Sequence, residues 1–204
     1  EVTKILTDET GHVSGVELYD GTQIETRHVI ANCSPHVVYG RLLDEKAVPE
    51  RALKLTNSRK LAGRGFTAFY GLNKSPEELG LTDHNYFVYN SSDSVKMYKE
   101  METMYNNLGQ ATCVLNNADP NCSPKGTTIM YSTTLFTEDV WKDVKEEDYY
   151  KHKNKIALQM LEQFEKALGV NLKEHIEEIA VATPQTYARY CGHPQGVIYG
   201  YESL

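Results

Sequence analysis

The chain has one tryptophan, seven prolines and four cysteines in 204 residues, and each scarcity excludes something. Cys33, Cys113, Cys122 and Cys191 contain no C-x-x-C pair, so neither a zinc ribbon nor a redox motif is present, and they are too sparse to staple a secreted domain. A reducing cytoplasm is the expected compartment. No apolar run approaches the ~20 residues that cross a bilayer. Basic residues are outnumbered, 21 against 28 acids for a net charge of -7, which is the wrong sign for a nucleic-acid or anionic-membrane binder. Walker A, G-x-S-x-G and H-E-x-x-H patterns are missing. The seven histidines, His12, His28, His36, His84, His152, His175 and His193, show no metal-ligand spacing, so no metal site is expected.

What is there describes a globular chain, 40% hydrophobic and 24% charged. Val2–Leu6, Val13–Tyr19 and Gln23–Glu25 read as a β-meander, with Val29–Ala31 as a further strand, because Asp20-Gly21 tolerates the positive φ of a hairpin turn. Ser34-Pro35 predicts a helix starting at Pro35, with the serine hydroxyl as cap. A second helix is expected over Pro49–Ser58, with Leu53 and Leu55 on its apolar side. Phe66–Leu72 and His84–Asn90 read as neighbouring strands joined by a long loop. Ser92–Met101 is helix-compatible, capped by Ser92 or Asp93, with Val95, Met97, Tyr98 and Met101 as a partial apolar face. Thr112–Leu115 and Thr127–Phe136 are strand candidates divided by turn-forming residues.

The longest helix is expected from Asp148 to Leu168: Ala157, Leu161, Phe164 and Leu168 form one stripe, Glu162 and Lys166 an i,i+4 pair, and Gly169 ends it. Ile176–Thr183 follows as a strand, Pro184–Tyr190 as a short turn or helix, and Gly196–Tyr201 as an extended piece. The order predicts an α+β or α/β fold with a mixed sheet flanked by helices, and the meander as a small separate piece.

Gly63-Arg64-Gly65-Phe66-Thr67-Ala68 matches G-x-G-x-x-A but precedes a strand, whereas a dinucleotide fingerprint must open a helix. Fourteen tyrosines gather in clusters, among them Tyr187, Tyr190, Tyr199 and Tyr201 beside Arg189 and His193. A phenol suits a half-wet pocket, a sheet surface and an interface alike.

Two stretches carry a resemblance. The first runs from Val2 and Ile5 through Gly11-His12-Val13-Ser14-Gly15-Val16-Glu17-Leu18 and Asp20-Gly21 to Val29-Ile30-Ala31-Asn32-Cys33-Ser34-Pro35. The second is Ala182-Thr183-Pro184-Gln185-Thr186-Tyr187-Ala188-Arg189-Tyr190 with Gly192, Pro194, Gly196, Tyr199-Gly200 and Glu202. Both resemble the FAD-dependent oxidoreductase family of phytoene desaturases, carotenoid isomerases and retinol saturases, with flavin amine oxidases as distant kin. Phe69–Leu72 and Glu77–Asn85 fit the middle of the same family, so the match spans nearly the whole chain.

The resemblance implies that residues 1–34 are a meander remnant of the FAD-binding domain and that residues 35–204 form the substrate-binding domain. It implies Val2, Ala31, Asn32 and Ser34 near the cofactor, and Tyr190, His193 and Tyr199 toward the flavin ring, lining the substrate side. It implies FAD in a full-length parent and none bound by this segment alone, whose missing flavin motifs would lie before Glu1 and after Leu204. The implied activity is hydride transfer to or from a hydrophobic alkene, with no activity by the segment itself. The flavin does the chemistry, so no catalytic side chain is assigned. A stand-alone ligand-binding or interaction module, and amine-oxidase-like C–N oxidation, remain open. A hydrophobic small molecule is the expected partner, and the residues say nothing of oligomeric state.

Overall fold

A computed structural model describes residues 1–107 and 109–202. The chain divides into two compact units, Glu1–Ala62 with Ala188–Leu204, and Gly63–Tyr187.

In the first unit, β1 (Val2–Thr7), β2 (Val13–Leu18) and β3 (Gln23–Glu25) form an antiparallel meander in that order. The Asp8 carboxylate closes the first turn by accepting from the Thr10 amide at 2.9 Å, the Thr10 hydroxyl at 2.6 Å and the His12 amide at 3.0 Å. These bonds, led by the Thr10 hydroxyl, hold the carboxyl below its ordinary range. Gly15 is required by proximity: a Cβ there would lie 2.6 Å from the Ile24 carbonyl oxygen on β3.

The expected strand at Val29–Ala31 does not form, and Ile30 is 98% exposed. The last rung is Thr26 N–H to the Ser14 carbonyl at 3.2 Å. Thr26 Oγ1 then donates to the His28 carbonyl at 3.0 Å, curling the chain off the edge, and β-prone residues without a partner strand stay irregular.

Helix α1 (Pro35–Val37) begins where expected and runs into a π turn over Val38–Leu42. The Ser34 carbonyl, not its hydroxyl, caps it, accepting from Val37 and Val38 at 2.9 and 3.2 Å. Helix α2 (Glu50–Ser58) buries Thr56 while Leu55 stays exposed. Leu53 and Leu55 cannot share a face, because residues two apart point to opposite sides of a helix.

In the second unit, β4 (Arg64–Leu72), β5 (Asn85–Val88), β6 (Gln110–Val114), β7 (Thr128–Phe136) and β8 (Ile176–Ala182) form one sheet, ordered β5-β6-β7-β4-β8. Every pairing between these strands is antiparallel, so the α+β class holds, the parallel α/β alternative falls away, and the sheet is antiparallel rather than mixed. β4 and β5 are not neighbours: β7 and β6 lie between them. Their connection is not a hairpin loop, because it buries Leu79 and Leu81 in the core on its way to the far edge.

Between β5 and β6 lies α3 (Ser94–Glu100), capped by the Asp93 carboxylate, which accepts from Val95 and Lys96 N–H at 3.0 and 3.1 Å. Its expected apolar face is split, since Val95 and Tyr98 are exposed while Met97 and Met101 are half-buried.

Helix α4 (Tyr149–Leu168) ends at Gly169 and seals one sheet face with Ile156, Ala157, Met160, Leu161 and Phe164, all buried. They meet Phe66, Ala68, Tyr70 and Leu72 of β4 and Met130 and Phe136 of β7 in a single core. Two polar bonds fix the helix: Tyr70 donates to the Ala157 carbonyl at 2.8 Å, and Gln110 Nε2 to the Met160 carbonyl at 2.8 Å. Burial pushes the Tyr70 phenol far up, so it stays a donor. Trp141 stacks on Phe66 at 6.0 Å. Glu162 pairs with Lys173 at 3.1 Å, across the bend after α4, rather than with the Lys166 expected from helical spacing. Helix α5 spans Pro184–Cys191.

Candidate functional site

In the first unit a cleft of about 370 Å³ opens between the turn at Asn32–His36 and the segment His193–Tyr201. The second segment is held by local geometry: Leu61 bridges to Tyr201, Ala62 N–H reaches the Gly200 carbonyl at 2.9 Å, and Lys60 pairs with Glu202 at 3.0 Å. Gly196–Tyr201 is therefore not a free extended strand but a short 3-10 turn, Pro194–Gly196, followed by this bridge. Tyr201 Oη lies 3.1 Å from His36 Nδ1. Burial raises the Tyr201 phenol, and the Arg59 guanidinium, 5.5 Å from its ring, partly offsets this. Ser34 is buried at the floor, with its hydroxyl in no capping bond.

Of the residues singled out from the sequence, Asn32, Ser34, His193 and Tyr199 line this one cleft. Val2, on β1, and the exposed Ala31 are not among its lining residues. Tyr190 is 78% exposed, with Arg189 over its ring at 5.6 Å. The glycine pattern at Gly63-Arg64-Gly65 leads into β4 and opens no helix. Gly63 has a packing reason, since its Cβ would meet Leu135 Cβ at 3.0 Å.

The second unit carries a surface that the sequence reading did not assemble. Alternate side chains on a strand point to opposite faces. With Tyr70 directed at α4, the odd residues of β4 and β7 form the other face, where Phe69 pairs with Tyr131 and Thr67 with Thr133. Their neighbours are small: Ala111 beside Thr133, and Ala180 and Ala182 beside Phe69 and Thr67. Phe69 and Tyr131 form a tilted ring pair at 5.9 Å, and Phe69 is 39% exposed. Thr67 Oγ1 lies 2.8 Å from Thr133 Oγ1 and 2.6 Å from Tyr187 Oη, giving three linked hydroxyls on an otherwise apolar wall. The Cys113 side chain, bonded to Tyr131, raises that phenol, with burial adding to it.

Cys113 Sγ is 3.4 Å from His84 Nε2 and 3.9 Å from Nδ1. Near-equal distances put the sulfur beside the ring rather than along the Nε2 lone pair, while Nδ1 is engaged by the Val114 carbonyl at 2.9 Å. This is packing, not a nucleophile with its base. Among the described residues no three His, Cys, Asp or Glu side chains come together as a metal site.

No family model matches the chain. A prolycopene isomerase, chloroplastic, from Daucus carota is 26% identical over 190 residues, covering 92% of this chain and 29% of the isomerase. An all-trans-retinol 13,14-reductase from Danio rerio is 25% identical over 217 residues, covering 98% of this chain and 36% of the reductase. The chain thus spans about a third of the length of the curated relatives it matches. Among solved structures, an oxidoreductase from Methanosarcina mazei shares the fold, with a TM-score of 0.51 over 90% of this chain and 36% of that one at 14% identity. Motif order and these relatives make the chain similar to FAD-dependent oxidoreductases of phytoene desaturase, carotenoid isomerase and retinol saturase type, and the solved structure agrees in fold.

Proposed function

We propose that this chain supplies the substrate-facing part of a FAD-dependent oxidoreductase that moves a hydride to or from a hydrophobic alkene. The observation that carries the reading is the open sheet face of the second unit. Its opposite side is sealed by α4, whereas this side presents Phe69, Tyr131 and small residues to the outside. Flat apolar walls with a few placed polar groups are what apolar ligands need.

In this reading residues 1–34 serve the flavin domain and residues 35–204 the substrate domain. Asn32 and Ser34 face the cofactor, and His193 and Tyr199 stand toward its ring. The shared cleft supports these four, while Val2, Ala31 and Tyr190 rest on the resemblance.

The cleft's volume of about 370 Å³ sits near the lower end of the roughly 300–1,000 Å³ range of small-molecule sites. It offers the Ser34 hydroxyl, the Asn32 amide and the His36–Tyr201 pair. That donor set fits one portion of a flavin dinucleotide, not its whole length, so the chain alone is expected to hold no FAD and to turn nothing over. When bound, the flavin supplies the hydride chemistry. This chain's residues would orient the alkene and keep water from it. No helix among the described residues is long and apolar enough to cross a membrane. A reducing cytoplasm is the compartment that four free cysteines suit.

The test is a fluorescence titration with diphenylhexatriene, a hydrocarbon polyene. Saturable binding by the chain, abolished by Ala111→Trp on the open face, is expected. Binding untouched by Ala111→Trp would contradict the reading.

A further inference from the structure

We propose that Phe87 is a specificity-determining residue of the open face: it forms the outer wall of a slot floored by Ala111 and limits how thick a bound alkene can be. The inference rests on the alkene-binding reading above and gives that surface a width.

Register fixes Phe87 in this place. Its neighbours Tyr86 and Val88 belong to the core, Tyr86 edge-on to Phe164 with ring centroids 5.4 Å apart and Val88 buried. Slipping β5 by one residue would turn both outward, so Phe87 is held on the opposite face. There it pairs with Ala111 of β6, which pairs in turn with Thr133 of β7. β5 is the outermost strand, so among the described residues no further strand stands behind Phe87, and its side chain is 69% exposed.

The slot runs along β6 and is closed at both ends. At one end Tyr89 lies against Gly109, where a Cβ would come within 3.3 Å of the ring. At the other, the Cys113 sulfur has His84 Nε2 at 3.4 Å and Tyr131 across the strand pair. Gly109 to Cys113 covers ~14 Å at ~3.4 Å per residue.

Width follows from strand spacing. β5 and β7 stand two spacings apart, ~9.6 Å. A conjugated chain set on edge between their side chains needs ~3.5–4.0 Å of contact distance on each side, ~7–8 Å across. One flat layer fits, and the ~2 Å left over does not admit rings twisted out of that layer. Shortening Phe87 removes the outer limit and leaves the β7 side as it was.

Two oxygen-free fluorescent alkenes separate the outcomes: diphenylhexatriene, which is slender and flat, and tetraphenylbutadiene, whose paired end rings twist out of plane. The readout is the ratio of their affinities. Wild-type chain should favour diphenylhexatriene by about tenfold, the low end of what one misfitting group costs in an apolar pocket. Phe87→Ala should lose that ratio, and Phe87→Tyr, which keeps the ring, should retain it. Should Phe87→Ala not fold, Phe87→Val, which keeps a strand-forming residue in β5, gives the same reading. Equal affinities in wild type, a ratio that survives the loss of the ring, or a Phe87→Tyr chain that loses it, overturns the role of Phe87 and leaves the alkene reading standing. Binding of neither probe by wild type overturns both.

Discussion

Replacing Leu161 by alanine tests the layer that makes one sheet face a core and leaves the other open. Leu161 is fully buried at 0% exposure, in the cluster that joins α4 to β4 and β7. The substitution deletes three carbons, which at ~0.8 kcal/mol each amounts to ~2.4 kcal/mol of lost transfer free energy. A residual hole of ~50 Å³ at ~24 cal/mol per Å³ adds ~1.2 kcal/mol, for a total of ~3.6 kcal/mol. With a urea slope of ~2 kcal/mol per M, the midpoint should fall by ~1.8 M at unchanged slope. Trp141 is the single tryptophan and stacks on Phe66 in this core, so its fluorescence follows this unit's unfolding. Val95→Ala, at a position 64% exposed in the same unit, is the control and should cost under ~0.5 kcal/mol. A Leu161→Ala midpoint no lower than that of Val95→Ala would refute the packing of α4 on the sheet.

Three further outcomes follow from local geometry. Gly15→Ala forces a Cβ to 2.6 Å from the Ile24 carbonyl and should destabilise the meander by ~1–3 kcal/mol, read as loss of amide protection in β2 and β3; unchanged protection would contradict the register. The Asp8 carboxyl should titrate below its ordinary range by NMR, and Thr10→Val should bring it back up. Because its folded pKa is depressed, whatever stability this turn adds is present above the unfolded value and is lost as pH falls through the folded one. A Thr10→Val titration identical to wild type would show that the hydroxyl bond is not the cause. Thiol labelling should modify Cys33 and Cys191 first and the buried Cys113 last, so early loss of Cys113 would contradict its place between β5 and β7.

Much of this fold is legible because its signals are local. Asp20-Gly21 marks a hairpin, Ser92 or Asp93 a cap, which the structure resolves to Asp93, and the stripe through Ala157, Leu161 and Phe164 a one-sided helix whose burial follows from its period. What escaped depends on partners distant in sequence. Val29–Ala31 has strand composition but no edge to pair with. The place of β5 depends on two strands not yet made, and Leu79 and Leu81 look like loop residues until their contacts are known. Asn32, Ser34, His193 and Tyr199 were identified through motif order, and the cleft joins residues about 160 positions apart only in three dimensions. The hydroxyl trio is the clearest omission. Thr67 and Thr133 are 66 residues apart and Thr67 and Tyr187 120 apart, and no one-dimensional pattern announces such a pairing. Burial alternates strictly along β7, but Ile129, Met130 and Tyr131 are consecutive apolar residues and Ser132, Thr133 and Thr134 consecutive hydroxyls, so the sequence carries no matching alternation that would announce a second face.

The central claim is that this chain is one part of a flavin oxidoreductase. Sequencing the reading frame on both sides of it tests that most directly. A strand, G-x-G-x-x-G and helix upstream, with a glycine-rich segment downstream, is the predicted result, because those segments hold a flavin dinucleotide. A frame that held neither segment would contradict the account.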